Sequence, residues 1–260
     1  MLDNVRSAAR SALIRAAQDY TLQATTRSIL VVAPHPDDET IGCGGRILHA
    51  TRSGAAVTVV VATDGAASHD HVGTTADQLR LLRHEELIAA TTRLGVAAHD
   101  VIELKHPDGG LAACEELLTL ELLRIINERR PDDVYATSMW ESHPDHAAAG
   151  RALRAAMAQL ALHAPDERVV PRHFEYPVWL WSNWPVSKKW GRYGPRQWWT
   201  LRTERRCHTV DLAEVAEQKW SAMQAYASQL GDAVDGVQVG LPPLLLERAK
   251  VGPELFFEIV

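Results

Sequence analysis

Val31-Val32-Ala33-Pro34-His35-Pro36-Asp37-Asp38-Glu39 is the stretch on which the reading of this chain turns. The five apolar residues Ile29 to Ala33 have the pattern of a short strand covered on both faces, as in a central parallel sheet. Sheets of that kind place their chemistry just beyond the carboxyl ends of the strands. Here that position carries one imidazole and three carboxylates. A neutral imidazole and a carboxylate are good zinc ligands, and Pro36 stiffens the turn between them. His35 and Asp38 can clasp one cation while Asp37, pointing elsewhere, stays free to act as a base. Capping of a helix that begins near Glu39 explains one acidic residue, but not the His-Pro ahead of it.

A second cluster repeats the arrangement. Asp133 to Thr137 read as another short strand, followed by Trp140-Glu141-Ser142-His143-Pro144-Asp145-His146 and an alanine-rich helix to about Leu162. Pro144 suits a first helical position, and residues three apart share a helix face. His143 and His146 are therefore expected to look into one crevice, with Asp145 orienting one of the imidazoles. A lone His-x-x-His more often marks a solvated helix start. Two His-Pro-Asp clusters, each directly after a strand, do not fit that explanation.

Between and around these clusters the pattern alternates. A helix is expected from about 40 to 53, a strand from Ala56 to Ala62, a helix over 76–94 and a strand over 100–104. A helix over 114–129 and a strand over 133–138 follow. This order predicts an α/β fold: a Rossmann-like open, mostly parallel sheet flanked by helices, in a single domain. Residues 1–27 read as an N-terminal helical extension, with an alanine-rich helix over 4–20 that docks onto the domain or a second copy; 28–260 form the domain proper. Gly42-Cys43-Gly44-Gly45 read as a glycine-rich turn. It lacks the third glycine of a dinucleotide site, and the acidic knot occupies the phosphate position.

Composition narrows the function. Thirty-three acidic against 27 basic residues, with no basic stripe, argue against nucleic acid. Cys43, Cys114 and Cys207 are too scattered for a disulfide framework. No run approaches the roughly 20 apolar residues of a membrane span, and the N-terminus lacks a secretory pattern, so a cytoplasmic enzyme is expected.

His35-Pro36-Asp37-Asp38-Glu39 together with His143-Pro144-Asp145-His146 resembles the LmbE/PIG-L family of zinc-dependent N-deacetylases. Gly42-x-Gly44-Gly45, Thr63-Asp64-Gly65, Arg83-x-x-Glu86-Leu87, Leu94-Gly95-Val96 and Pro107-Asp108-Gly109 agree with it. The resemblance is clear over about 28–160 and looser over Lys219 to Gln229. It implies Zn2+, or another divalent transition metal, held by His35, Asp38 and His146, with a position left open for water. Asp37 would be the general base toward that water, and His143 a cationic donor to the oxyanion. Asp145 would fix the His143 ring and favour its charged form. Positions matching Arg83 and Asp108 lie near the substrate in the family. A surface ion pair of Arg83 with Glu85 or Glu86, and a turn role for Asp108, remain open alternatives.

The implied activity is hydrolysis of an N-acetyl or other N-acyl group from an amino sugar or its glycoconjugate. An amidase acting on a thiol or peptide conjugate, and a non-catalytic sugar-binding module, are the alternatives. A homo-oligomer is left open. Beyond residue 165, Trp179, Trp181, Trp184, Trp190, Trp198 and Trp199 crowd together, with Lys188, Lys189, Arg192 and Arg196 between them. Such rings serve either a sugar-binding rim or core and subunit packing. The loop from His69 to Thr75 reads as a mobile active-site loop rather than a source of ligands. Residues 211–229 predict an amphipathic helix, and Glu254 to Val260 a strand closing the sheet edge.

Overall fold

A computed structural model describes residues 2–67, 75–163, 170–180, 206–231 and 240–259. His69, His71 and Trp181, Trp184, Trp190, Trp198 and Trp199, with the basic residues between those rings, lie outside the described residues. The strands are β1 (Gln18–Asp19), β2 (Ile29–Ala33), β3 (Val57–Thr63), β4 (Val101–His106), β5 (Asp133–Thr137), β6 (Arg172–Tyr176), β7 (Arg206–Val210) and β8 (Glu254–Ile259). They form one sheet in the order β1-β7-β8-β6-β5-β2-β3-β4. From β6 to β4 the pairs are all parallel, while β8 runs antiparallel to both β6 and β7.

The helices are α1 (Leu2–Ala16), α2 (Thr21–Thr26), α3 (Asp38–Arg52), α4 (Ala76–Arg93), α5 (Glu115–Arg129), α6 (Pro144–His163), α7 (Ala216–Met223) and α8 (Pro243–Lys250). Strand β2 shows why the sheet needs cover on both sides. Its residues alternate faces. Ile29, Val31 and Ala33 join a core with Ile41, Cys43 and Ile47 of α3 and Leu87 and Ala90 of α4. Leu30 and Val32 join a second core with Leu118, Leu122 and Ile125 of α5 and Ala149 and Leu153 of α6. Each fully buried Val, Leu or Ile contributes roughly 1.5–3 kcal/mol, so an unbroken apolar strand is stable only between two helical layers.

The chain leaves β2 through α3 toward β3 on one side, and returns through α5 to β5 on the other. The gap between the carboxyl ends of β2 and β5 is therefore the point where the winding reverses. Ligand crevices of open α/β sheets form at such points.

Four expectations need correction. Strand β8 is not an edge: β7 and β1 add outside it, because Cys207 to Val210 pair antiparallel with its outer side. The helix foreseen over 211–229 is shorter, α7 being followed by a separate 3-10 turn at Ala227–Gln229. The helix foreseen over 4–20 in the extension ends at Ala16. After α1 the extension supplies β1, which pairs with β7, and places Tyr20 and Ala24 in the main core.

The fourth correction concerns Gly42 to Gly45, which form no turn but the interior of α3. They are glycines because neighbours come too close for a side chain. A Cβ at Gly42 would lie 2.2 Å from Tyr176 Cδ2, and one at Gly45 would lie 2.0 Å from Leu212 Cδ2. An ion pair is wedged against the same stretch. Glu254 Oε1 and Oε2 accept from Gly45 N and Arg46 N at 2.7 and 2.8 Å. Lys219 Nζ donates to Ile41 O at 3.0 Å and pairs with Glu254 at 2.7 Å. In a regular helix Gly45 N–H donates to Ile41 C=O. Lys219 and Glu254 take both ends of that rung, tying α7 and β8 to the helix whose first turn carries Asp38.

Candidate metal centre at the sheet switch point

His35 follows β2 after one residue, Pro34, and Asp38 opens α3. Asp37 between them has φ 126° and ψ −30°, a backbone conformation that L residues rarely adopt. Strain of this kind costs about 1–3 kcal/mol and persists only where the surroundings enforce it. His143 precedes α6, whose first turn carries Asp145 and His146. The two His-Pro-Asp clusters meet across the switch point.

Three donor atoms form a nearly equilateral triangle. His35 Nδ1 lies 3.2 Å from His146 Nε2 and 3.2 Å from Asp38 Oδ2, and His146 Nε2 lies 3.2 Å from Asp38 Oδ2. A tetrahedral cation with arms of about 2.0–2.1 Å separates its ligands by about 3.3 Å. The triangle has that edge, and its donor set of two imidazoles and a carboxylate suits zinc. His35 also has the outer support typical of a metal-bound imidazole. Its far nitrogen, Nε2, lies 3.1 Å from Asp108 Oδ1 and 3.2 Å from Asp145 Oδ2. These residues fit a bound divalent cation.

The same contacts set the charges. Burial alone would depress His35, but the carboxylates of Asp108, Asp145 and Asp38 hold its pKa well above the ordinary value. Burial pushes Asp38 up, yet the imidazoles of His146 and His35 outweigh it and hold the carboxyl far below its usual range. Asp37 is pushed up to about 8, first by burial, with the negative charge of Asp38 adding to it against the pull of Arg83.

Asp145 orients an imidazole, as the sequence suggests, but the ring is that of His35. Its carboxylate accepts from Gly109 N at 2.7 Å, Leu111 N at 3.1 Å and the far side of His35, so it orients His35 rather than His143. His143 Nδ1 instead accepts the peptide N–H of Asp145 at 3.3 Å, which leaves its proton on Nε2. Its pKa is lowered to about 4, by burial first and then by the imidazoles of His146 and His35. That leaves the imidazole neutral at pH 7, where the family resemblance had implied a cation.

Arg83 makes no surface pair. It is buried on α4, where Nη2 donates to Pro36 O and reaches Asp37 Oδ2 at 3.4 Å, while Nη1 lies 3.7 Å from the buried Glu86. Asp108 is more than a turn residue: besides His35, it accepts from Ala67 N at 2.9 Å. These side chains line a cavity of about 280 Å³, completed by Gly65, Trp179, Gln229 and Leu241. Gln229 and Glu39 were not foreseen as site residues. The looser resemblance over Lys219 to Gln229 and the last residue of the first motif held the signal, but nothing local says that they converge.

Fold and site together define an α/β protein with a three-donor cation cradle and a buried spare carboxylate at the switch point of its sheet. Residues 30–157 match the PIG-L family, described as GlcNAc-PI de-N-acetylase. It is 29% identical over 253 residues to the 1D-myo-inositol 2-acetamido-2-deoxy-alpha-D-glucopyranoside deacetylase of Mycobacterium sp. (strain KMS), covering 82% of this chain and 77% of the relative. It is 34% identical over 127 residues to the diacetylchitobiose deacetylase of Thermococcus kodakarensis, covering 48% and 46%. The fold is also that of a solved N,N'-diacetylchitobiose deacetylase from Pyrococcus horikoshii, with TM-score 0.61, 24% identity and coverage of 79% and 72%. Among the described residues, no helix is long and apolar enough to cross a membrane.

Proposed function

We propose that this protein is a metal-dependent hydrolase that removes an N-acetyl group from an amino sugar or its conjugate, with His35, Asp38 and His146 holding zinc. The observation that carries this reading is the 3.2 Å donor triangle with the buried carboxylate of Asp37 in the same cavity. The substrate class is supported by the family, whose curated relatives deacetylate N-acetylglucosamine conjugates by name.

Zinc in this cradle supplies Lewis acidity, bringing the pKa of water toward about 7 and polarising an acyl oxygen. The chain's own residues handle the proton and the charge. Asp37 takes the proton of the attacking water and returns it to the departing amine nitrogen, so one carboxylate serves as base and then acid. His143 donates its Nε2–H to the oxyanion that forms at the acyl carbon; a neutral imidazole is a competent donor there. Asp108 and Asp145 hold the His35 ring in register. Arg83 restrains Asp37 through Pro36 O and Oδ2.

The test is metal analysis followed by amine release from a panel of acetamido sugars that includes the inositol and chitobiose conjugates. One equivalent of zinc and release from at least one sugar, abolished by chelation and restored by metal, is the expected result. No bound divalent cation, or release only from a thiol or peptide conjugate, overturns the reading.

Metal binding is expected to expel protons. In the metal-free protein His35 keeps its proton at neutral pH, and Asp37 keeps its own up to about 8. A dication must displace the first and disfavours the second, so affinity falls as pH drops below about 8. Titration calorimetry in buffers of different ionisation enthalpy should register about one to two protons released per zinc at pH 7. A buffer-independent heat would contradict this.

A further inference from the structure

The unusual backbone at Asp37 is held from an unexpected direction. Its peptide N–H points at Glu39 Oε2, 3.1 Å away, and its carbonyl accepts from Thr40 N and Ile41 N at 3.0 and 2.9 Å. Glu39 is completely buried, unlike a first-turn acid that merely faces the helix dipole from solvent. Its other oxygen, Oε1, accepts the hydroxyls of Tyr226 and Thr40, each at 2.5 Å. Tyr226 is also completely buried and stands 187 residues along the chain from Glu39. Its ring lies 5.8 Å from the guanidinium carbon of Arg83, the group that reaches the Asp37 carboxylate.

We propose that Glu39, locked by the Tyr226 hydroxyl, is the positioning residue for Asp37. It holds the peptide N–H of a left-handed residue and thereby aims the Asp37 carboxylate into the cavity. Without that acceptor the N–H is buried and unpaired, and Asp37 relaxes to an ordinary conformation that turns its carboxylate away. The kinetic part of this inference rests on the role of Asp37 proposed above; the backbone part does not.

The chemistry distinguishes three variants. In Glu39→Gln both hydroxyls can switch from donor to acceptor. The amide oxygen then stays on Asp37 N–H, and kcat should remain within about fivefold of wild type. Glu39→Leu removes the acceptor, and kcat should fall about 100-fold, the scale of a misplaced catalytic group. Tyr226→Phe frees one side of Glu39 and should cost about tenfold, with KM within about twofold. Zinc content should stay at one per chain in all three.

Hydrogen exchange gives a second readout that needs no substrate. The Asp37 amide should exchange at least about tenfold faster in Glu39→Leu and Tyr226→Phe, while the amides of Val31 and Val32 keep wild-type rates. Unchanged exchange at Asp37 overturns the proposal, as does a kcat loss that tracks lost zinc or a raised KM. Should Glu39→Leu not fold, Tyr226→Phe decides by the same two measurements. A wild-type protein that releases no amine from any substrate would defeat the proposed function alone, leaving the exchange result to judge the clamp.

Discussion

Asp37→Ala is expected to bind zinc at wild-type stoichiometry and to lose turnover by about 10²–10⁴-fold, the usual contribution of a positioned general base. Asp37 is no corner of the donor triangle, so its loss leaves His35, Asp38 and His146 in place. His146→Ala should do the reverse. It removes one corner, metal content falls, and activity follows the metal. The pair of variants separates two roles that lie side by side in one short motif. Metal analysis and amine release on the same preparations provide the measurement. An Asp37→Ala protein with near-normal rate would remove the acid–base role, and a His146→Ala protein that keeps its zinc would remove the ligand assignment.

The second large effect concerns stability. Glu254→Leu should destabilise the fold by about 3–5 kcal/mol, because it leaves the Lys219 ammonium buried and uncompensated. Two helix N–H groups, Gly45 and Arg46, also lose their acceptor. Lys219→Met combined with Glu254→Leu should be milder than Glu254→Leu alone. With both charges gone no buried ion is left uncompensated, and Ile41 C=O stays one helical turn away as an acceptor for Gly45 N–H. Urea denaturation of the single and double variants measures this. A Glu254→Leu cost below about 1 kcal/mol would mean that the pair is effectively solvated.

The wedge also shows where local reading stops. Gly42 to Gly45 look like a turn, because glycine is the residue of turns. They sit inside a helix because Tyr176, Lys219 and Leu212 come close to them from distant parts of the chain. Arg83 is a similar case. Glu85 and Glu86 nearby leave a solvated pair open beside a substrate contact, and only the structure shows the guanidinium buried against Pro36 O.

Which imidazole Asp145 holds was also beyond local reading. Its neighbour in sequence is His143, but its carboxylate is spent on two peptide N–H groups and on a ring from the other motif. The two sugar-facing candidates, Arg83 and Asp108, do reach the cavity, each through contacts that no spacing rule supplies.

What the residue order determined by itself was the set of parts. Apolar runs of five residues specify strands needing two covers, and polar knots directly after them specify where chemistry can sit. Both follow from burial and from chain direction, which are local properties. The tertiary structure alone decided how the parts meet. It brought His35 within 3.2 Å of His146 across 111 positions and reassigned Asp145. It also set a tyrosine from the last quarter of the chain beneath the turn that carries Asp37. Distances between side chains on separate elements depend on packing across the sheet, and no window of sequence contains that information.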